Sequence, residues 1–414
     1  MNEAKQKFHL TSLERAWILY DVGNSAFVLL VATLIPIFFN ALAEGGGLSS
    51  VEYLAYWGYA ASAVTVITAV LSPILGTLAD TRNFKKPIFT FCVAVGVIGC
   101  CAMGMASTWL PFLLIFIFAK VGFSGSLVFY DSMLSDVTVP DRMDEVSSKG
   151  YAWGYIGSCV PFVVCLALVL GAGSIGISQM TALNLALFIT AAWWLVTTLP
   201  LLRQYKQVHF VEVQEHAIRQ SFARIGHTLR HLKEDRQVFW FLLAFFCYID
   251  GVYTIIDMAT AYGTALGLDT TGLLLALLVT QIVAFPSALV FGRLSGQYPS
   301  GTLIPVCIAA YAGIALFAFF LKHQWQFWVL AVVVGMFQGG IQALSRSHFA
   351  KIIPPEKSGE YFGLFDICGK GASFLGTMIV SVGSQLTGSA NVGVGSLIVL
   401  FIVGFVLFRV SDRK

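Results

Sequence analysis

The sequence predicts an all-α integral membrane protein, with twelve transmembrane helices arranged as two six-helix repeats. Three observations lead there. Hydrophobic residues make up 57% of the 414-residue chain and charged residues only 11%, against about 25% charged in an ordinary soluble domain. The apolar residues gather into stretches of roughly 20 or more, the length that crosses a bilayer core as a helix. Punctuation residues also recur: Gly76 and Gly292, Pro140 and Pro354, and Gly150 and Gly363 are separated by 216, 214 and 213 residues. Several matches near one offset point to a parallel internal duplication.

A chain this poor in charge, with a mean hydropathy of +0.80, could not cover a globule with water-compatible surface. In lipid every backbone polar group must be satisfied within its own segment, so helices are the default. The ten-residue alternation of a transmembrane β-barrel is absent. The net charge of +3 forms no compact basic face, so nucleic-acid binding is not indicated. The eight cysteines all fall in apolar runs without a Cys-x-x-Cys pair, and they read as small buried hydrophobes rather than disulfides or metal ligands.

Taken in order, the expected spans cover roughly residues 14–40, 52–79, 86–107, 110–136, 147–171, 178–202, 237–266, 270–297, 301–322, 325–350, 358–387 and 391–410. The first run is too long for a signal-peptide core and is expected to be kept as span 1. Lys and Arg concentrate at one side: Lys5, Lys7 and Arg15, then Arg82, Lys85 and Lys86, then Arg142 and Lys149, with the matching loops of the second repeat and the C-terminus. The opposite side carries only Lys322. By the positive-inside rule both termini are expected in the cytoplasm.

Residues 1–202 then form an N-terminal six-helix half and 237–414 a C-terminal half, joined by a polar cytoplasmic linker, 203–236. Within the linker Ile218, Phe222, Ile225, Leu229 and Leu232 step by four, three, four and three residues, an amphipathic helix. Its basic polar face suits an anionic inner membrane surface, and a helix packed as a strut is the alternative.

Ionisable residues inside the expected spans carry the chemistry. Asp21, Lys120, Asp131, Asp250, Asp257, Asp366 and Lys370 all lie there. Each costs about 2.5–3.5 kcal/mol near a bilayer centre on insertion scales, so these side chains should face a wet interior or one another. Asp366 and Lys370 are four apart on one face, either an ion pair or a cargo site. Asp21 and Asn24 share a face of span 1. Asp250 and Asp257 are two turns apart; a carboxylate in a low-dielectric cavity suits a proton carrier, and a helix–helix hydrogen bond is the equal alternative. Lys120 has no close sequence partner, so it either holds an anionic cargo group or pairs with Asp21 or Asp250 across the bundle. Asp131, near the cytoplasmic end of span 4, reads as a gate more than a cargo contact. Gln338, Gln342 and Arg346 are four apart along span 10 and form one stripe, with Arg346 able to snorkel to the surface. Gly150, Gly154 and Gly157 let span 5 approach a neighbour, or serve as a hinge.

The stretch Gly76-Thr-Leu-Ala-Asp80-Thr-Arg82-Asn-Phe-Lys85-Lys86 resembles the loop between helices two and three of the major facilitator superfamily. Four further stretches resemble the Atg22-like family of vacuolar and bacterial effluxers. They are Tyr20-Asp21-Val22-Gly23-Asn24-Ser25-Ala26, Gly150-Tyr-Ala-Trp-Gly154-Tyr155-Ile-Gly157-Ser158, Asp250-Gly251-Val-Tyr-Thr254-Ile and Gly339-Gly340-Ile-Gln342-Ala-Leu-Ser345-Arg346-Ser347. The resemblance covers the whole chain through its two-half plan, although the second-half loop lacks an acid matching Asp80. It implies alternating-access secondary transport by a monomer in a bacterial plasma (inner) membrane, with a cavity lined by helices one, four, seven and ten. A small polar solute such as an amino acid is the implied cargo. Asp21, Asn24, Lys120, Asp250 and Gln338 are then expected at the cargo or coupling ion, and Gly76, Asp80, Arg82 and Lys85 at the cytoplasmic gate. Protons are the expected coupling ion, with sodium as the alternative.

Lipid or lysolipid movement is a second reading, and a non-transporting membrane sensor a third. An enzyme is not expected. There is no Walker loop, no nucleophile elbow and no implied cofactor. Gly171-Ala-Gly173-Ser-Ile-Gly176 fits a dinucleotide fingerprint but lies in an outer loop with no strand before it. His227 and His231 lack an evident third metal ligand.

Overall fold

In lipid each apolar run satisfies its backbone only by coiling, and the chain does so repeatedly. In the computed structural model, which describes residues 9–212, 230, 232, 235–259, 262–263 and 270–412, twelve helices are long and apolar enough to cross a membrane. They are spans 1 to 12: Ser12–Gly45, Ala55–Ala79, Lys85–Met103, Trp109–Ser132, Pro140–Leu170, Gln179–Gln204, Arg236–Asp257, Leu275–Leu294, Ser300–Phe319, Trp325–Ile352, Pro355–Thr387 and Asn391–Ser411. Span 1 starts on a capping box, in which Thr11 accepts from the Glu14 N–H and Glu14 accepts in return from the Thr11 N–H. That reciprocal pairing satisfies two of the four N–H groups a helix start leaves open. The amphipathic helix expected around Ile218, Phe222, Ile225 and Leu229 lies outside the described residues.

Three boundaries differ from the sequence expectation. Span 1 runs on to Gly45 but breaks at Thr33, whose hydroxyl bonds the Leu29 carbonyl at 2.6 Å. Span 4 ends at Ser132 rather than near residue 136, and Leu134–Val137 forms a separate short turn. Span 5 begins at Pro140, well before residue 147. Pro140 therefore opens this helix rather than flanking a loop. Its fixed φ and missing N–H suit the first helical turn, and the polar segment after it is helix in which Met143, Asp144, Val146, Ser147 and Ser148 are buried.

The duplication is visible in the packing. Among the contacts that join the halves, two lie at matching places, span 2 against span 11 and span 5 against span 8. At the first, Gly76 and Gly359 bring two backbones together, with no room for a Cβ on either. At the second, Gly292 of span 8 sits over Ser148 of span 5. A second pair of matches lies within the halves. The Tyr20 hydroxyl of span 1 bonds Ser126 of span 4 at 2.6 Å, and Tyr248 of span 7 bonds Ser345 of span 10 at the same distance. Gly23 packs against span 6 at Thr197 and Trp194, and Gly251 packs against span 12 at Phe401.

Candidate functional site

Consecutive spans alternate direction, so the loops after spans 2, 4, 6, 8 and 10 share one end, which carries most of the Lys and Arg. At this basic end the halves are tied together. Asp80, fully buried just beyond span 2, accepts from the Gly359 N–H at 2.7 Å and the Glu360 N–H at 2.9 Å. These are open N–H groups in the first turn of the helix Ser358–Thr387, where the positive end of the helix dipole favours an anion. Lys85, also fully buried, donates to Ser358 at 2.8 Å and lies 3.7 Å from Asp80 and 3.8 Å from Asp136. Burial pushes the Asp80 carboxyl up to about 6, against the pull of Lys85 and of the two N–H groups. Arg82 is different. It is exposed, pairs with Glu212 at 3.4 Å and lies over the Phe210 ring, so it faces the segment after span 6 rather than the other half.

Deeper in, Arg346 of span 10 crosses into the first half. It is 2% exposed and does not snorkel to the surface. Its guanidinium lies 3.0 Å from Asp131 of span 4 and 3.4 Å from Asp21 of span 1, and it donates to the Ser147 hydroxyl and carbonyl of span 5 at 2.9 and 3.0 Å. Trp17 and Tyr151 lie against it at 4.6 and 4.3 Å. A guanidinium fork is suited to this, since five fixed donors can serve several acceptors at once. Asn24 supports the site from one turn along, its amide 3.4 Å from Asp21. Space for the arrangement comes from the span 5 glycines. A Cβ at Gly150 would lie 2.8 Å from the Asp21 carboxylate, one at Gly154 2.9 Å from the Ser25 hydroxyl, and one at Gly157 2.5 Å from Val22. These three glycines are close-packing positions against span 1.

The expected stripe on span 10 divides. Gln342 faces the first half and accepts from Tyr155 at 2.7 Å. Gln338 points into the second half, lining a cavity among spans 7, 8, 10, 11 and 12. It is 5% exposed and its side-chain oxygen has no partner among the described residues. The cavity has a volume of about 60 Å³. Apolar side chains such as Leu273, Phe327 and Val394 form most of its wall, and Thr254 lies at one edge. One turn before Thr254, Asp250 is fully buried. One of its oxygens takes the Gly376 N–H of span 11 at 2.9 Å and the Thr254 hydroxyl at 3.3 Å; the other has no partner.

Four further charges line the interior between the halves. Asp366 and Lys370 of span 11 pair at 2.5 Å, and Asp366 also accepts from Ser72 of span 2 at 2.7 Å. Lys120 of span 4 lies 4.8 Å from the Phe123 ring and, among the described residues, makes no ion pair or hydrogen bond. It pairs with neither Asp21 nor Asp250. Asp257 stands exposed at the end of the described span 7 helix, also unpaired, and within electrostatic range of Lys120. Asp250 and Asp257, expected on one face, therefore sit in unlike surroundings.

Sequence reasoning missed Asp144 and Asp136. Asp144 accepts from Ser347 and pairs with Lys351, both at 2.6 Å, adding another tie between the halves. It was hidden because the first turns of span 5 read as loop. Among the described residues, the hydrogen bonds joining the halves cluster from Ser72, Tyr155, Gln342 and Asp366 toward the basic end, and none is found at the opposite end.

The family model described as vacuole effluxer Atg22 like matches residues 12–138 and 135–414. The chain belongs to this family. An Atg22-like membership places it among the transporters of the major facilitator superfamily. It is 42% identical to an uncharacterized MFS-type transporter of Bacillus subtilis, YxiO, over 96% of this chain and 94% of that one. It is 25% identical to autophagy-related protein 22 of Coccidioides immitis, over 65% of this chain and 51% of that one. Solved structures share the fold at low identity. The human organic anion transporter MFSD10 has a TM-score of 0.74 at 13% identity, covering 96% of this chain and 98% of its own. The transporter FucP in the outward conformation has a TM-score of 0.72 at 16% identity, covering 97% and 98%. These likenesses agree with the twelve-helix, two-repeat plan expected from the sequence.

Proposed function

We propose that this Atg22-like protein is a monomeric secondary transporter that works by alternating access. In this reading it moves a small polar solute such as an amino acid and couples the movement to protons. Its basic end faces the cytoplasm of a plasma membrane, and the chain divides at the linker 203–236 into two rocking halves. The observation that carries the reading is a charged interior between the halves that, among the described residues, is tied shut at one end only. Asp80, Lys85, Asp144 and Arg346 hold the basic end closed; opening there requires breaking their contacts and making others at the far end. Lys120 and Asp257 support a zwitterionic cargo, since among the described residues this cation and this anion have no ion pair and lie within electrostatic range of each other. A sensor whose charges all pair off would leave neither free.

Asp250 is the proposed proton carrier. It is a buried carboxylate with no cationic partner among the described residues and one oxygen without a hydrogen bond. A proton on that oxygen removes an uncompensated buried charge, which is costly to hold. Thr254 links this group to the cavity edge, so cargo and proton occupancy can influence each other. The apolar wall of that cavity favours a second reading, transport of lipid or lysolipid, with a chain in the cavity and its polar group at Gln338.

Thermal-shift measurements against amino acids, peptides, sugars and lysolipids separate the two, because a ligand stabilises the state it binds. Proteoliposomes then test the mechanism with the ligand found. The Asp250→Asn variant should exchange cargo across the membrane yet lose acceleration by a pH gradient. Wild-type coupling in that variant removes Asp250 as the carrier, and absence of cargo-dependent flux by wild type removes the transport reading.

A further inference from the structure

The segment after span 6 does not leave the bundle at once. Residues 205–212 run back over the basic end as a strap. The Tyr205 hydroxyl donates to Asp136 at 2.5 Å. The Asp136 carboxylate also takes the Val208 N–H at 3.3 Å, the His209 N–H at 2.8 Å and the His209 ring Nδ1 at 3.0 Å. The Gln207 amide donates to the Ala79 carbonyl at 3.1 Å. Val211 then forms a single parallel β-bridge with the gate loop: its N–H donates to the Asp80 carbonyl at 2.8 Å, and its carbonyl accepts from Arg82 at 3.1 Å. Asp80 is thus held from behind by the strap while its carboxylate reaches forward to Gly359 and Glu360 of the other half.

We propose that this strap is a positioning element of the gate, and that His209 makes its hold on Asp80 weaken as the pH at the basic end rises. The inference rests on the closed gate and not on any cargo. His209 is 34% exposed, so solvent can exchange its proton. Asp136 faces it directly, Lys85 stands behind Asp136, and Glu356 at the start of span 11 adds a second negative charge. The hydrogen bond to Asp136 raises the His209 pKa above the ordinary 6.5 despite partial burial. A histidine stabilised in its charged form holds the strap fully below the free-histidine pKa, and that hold is lost as pH rises through the raised value. Asp80 titrates in the same sense but lower, between the usual carboxylate value near 4 and about 6. The two groups therefore separate by window.

Hydrogen–deuterium exchange on the purified full chain tests this, with rates corrected for intrinsic chemistry, at about pH 6, about pH 7.5 and about pH 9. Segments 79–85, 205–212 and 358–362 contain the bridge amides and the Gly359 and Glu360 donors. In wild type all three should lose protection several-fold over the two upper steps, while segment 109–132 stays unchanged. His209→Gln keeps a ring-free donor to Asp136 that does not titrate, and it should flatten the upper steps. His209→Ala should leave the strap poorly protected at every pH. A flat wild-type profile above pH 6 overturns the inference, as does a wild-type step in His209→Gln. Loss confined to 205–212, with 358–362 unmoved, also overturns it, because the strap would then not position the gate.

Discussion

Spans 1 and 7 carry the same short pattern with one difference. Tyr20-Asp21-Val22-Gly23 and Tyr248-Ile249-Asp250-Gly251 each begin with a tyrosine bonded to a serine two spans or more away in the same half, and each end with a glycine packed on the last span of that half. Between those anchors the acid comes first in span 1 and second in span 7. One residue turns a helical side chain by about 100°. Asp21 therefore faces across the molecule to Arg346, and Asp250 faces span 11 inside its own half. The same anchored helix gives an acid paired across the halves in one repeat and, among the described residues, an acid without a cationic partner in the other. A shift of one position is enough to separate the two settings.

The comparison breaks most visibly at Arg346. Arg346→Ala strands Asp21 and Asp131 in a buried site, and removing one partner of such a network costs about 3–5 kcal/mol. The variant should melt well below wild type. Adding Asp21→Asn and Asp131→Asn should recover much of the loss, because no buried charge is then unmatched. A single Arg346→Ala that melts with wild type would remove this cluster from the closed gate.

The two acids should answer differently to the same change. Asp21→Asn weakens a charge-assisted contact and costs about 1–3 kcal/mol. Asp250→Asn keeps an oxygen for Gly376 and Thr254 while losing an uncompensated charge, so its thermal midpoint should equal or exceed wild type. If Asp250→Asn is the more destabilising of the two, Asp250 is a structural anion and the contrast between the repeats fails.

Much of this was legible in the residues. Charge-poor runs of membrane length fixed the helix count, and the offsets between Gly76 and Gly292 or Pro140 and Pro354 exposed the duplication. The match between spans 1 and 7 escaped that search because its offset is 228, larger than the others, and its acids do not align. Spacing along span 10 put Gln338, Gln342 and Arg346 on one stripe, and it did so correctly as far as one helix goes. It could not say that Gln338 lines a cavity of the second half while Gln342 turns to Tyr155 of the first. Arg346 looked free to snorkel because its acceptors, Asp21 and Asp131, are supplied by helices hundreds of residues away. Arg82 and Lys85 looked alike in the loop, and only packing separates the exposed guanidinium from the fully buried ammonium.

The matching contacts of span 2 with span 11 and of span 5 with span 8 offer a finer version of the contrast. At Gly76 an added Cβ runs into the Gly359 backbone carbonyl; at Gly292 it meets the Ser148 Cβ at 2.8 Å, a smaller overlap. Gly76→Ala should therefore force span 2 from span 11 at a cost of about 1–3 kcal/mol and raise deuterium uptake at 358–362. Gly292→Ala should cost less and leave that segment alone. Equal responses would mean that the closed end is not tightest at spans 2 and 11.

The smallest effect bears on the anchors themselves. Tyr20 with Ser126 and Tyr248 with Ser345 are buried hydroxyl pairs of equal length. A net hydrogen bond of this kind contributes about 1 kcal/mol. Double-mutant cycles, Tyr→Phe with Ser→Ala in each half, should therefore give couplings of that size and within experimental scatter of each other. Such cycles isolate the pair from the cavities the single changes leave. Equal couplings mean that both repeats still fasten their first span to their fourth in the same way, so the different fates of Asp21 and Asp250 come from the position of the acid alone. A coupling in span 1 that clearly exceeds the one in span 7 would place the difference in the anchor, with the second repeat held more loosely around its cavity.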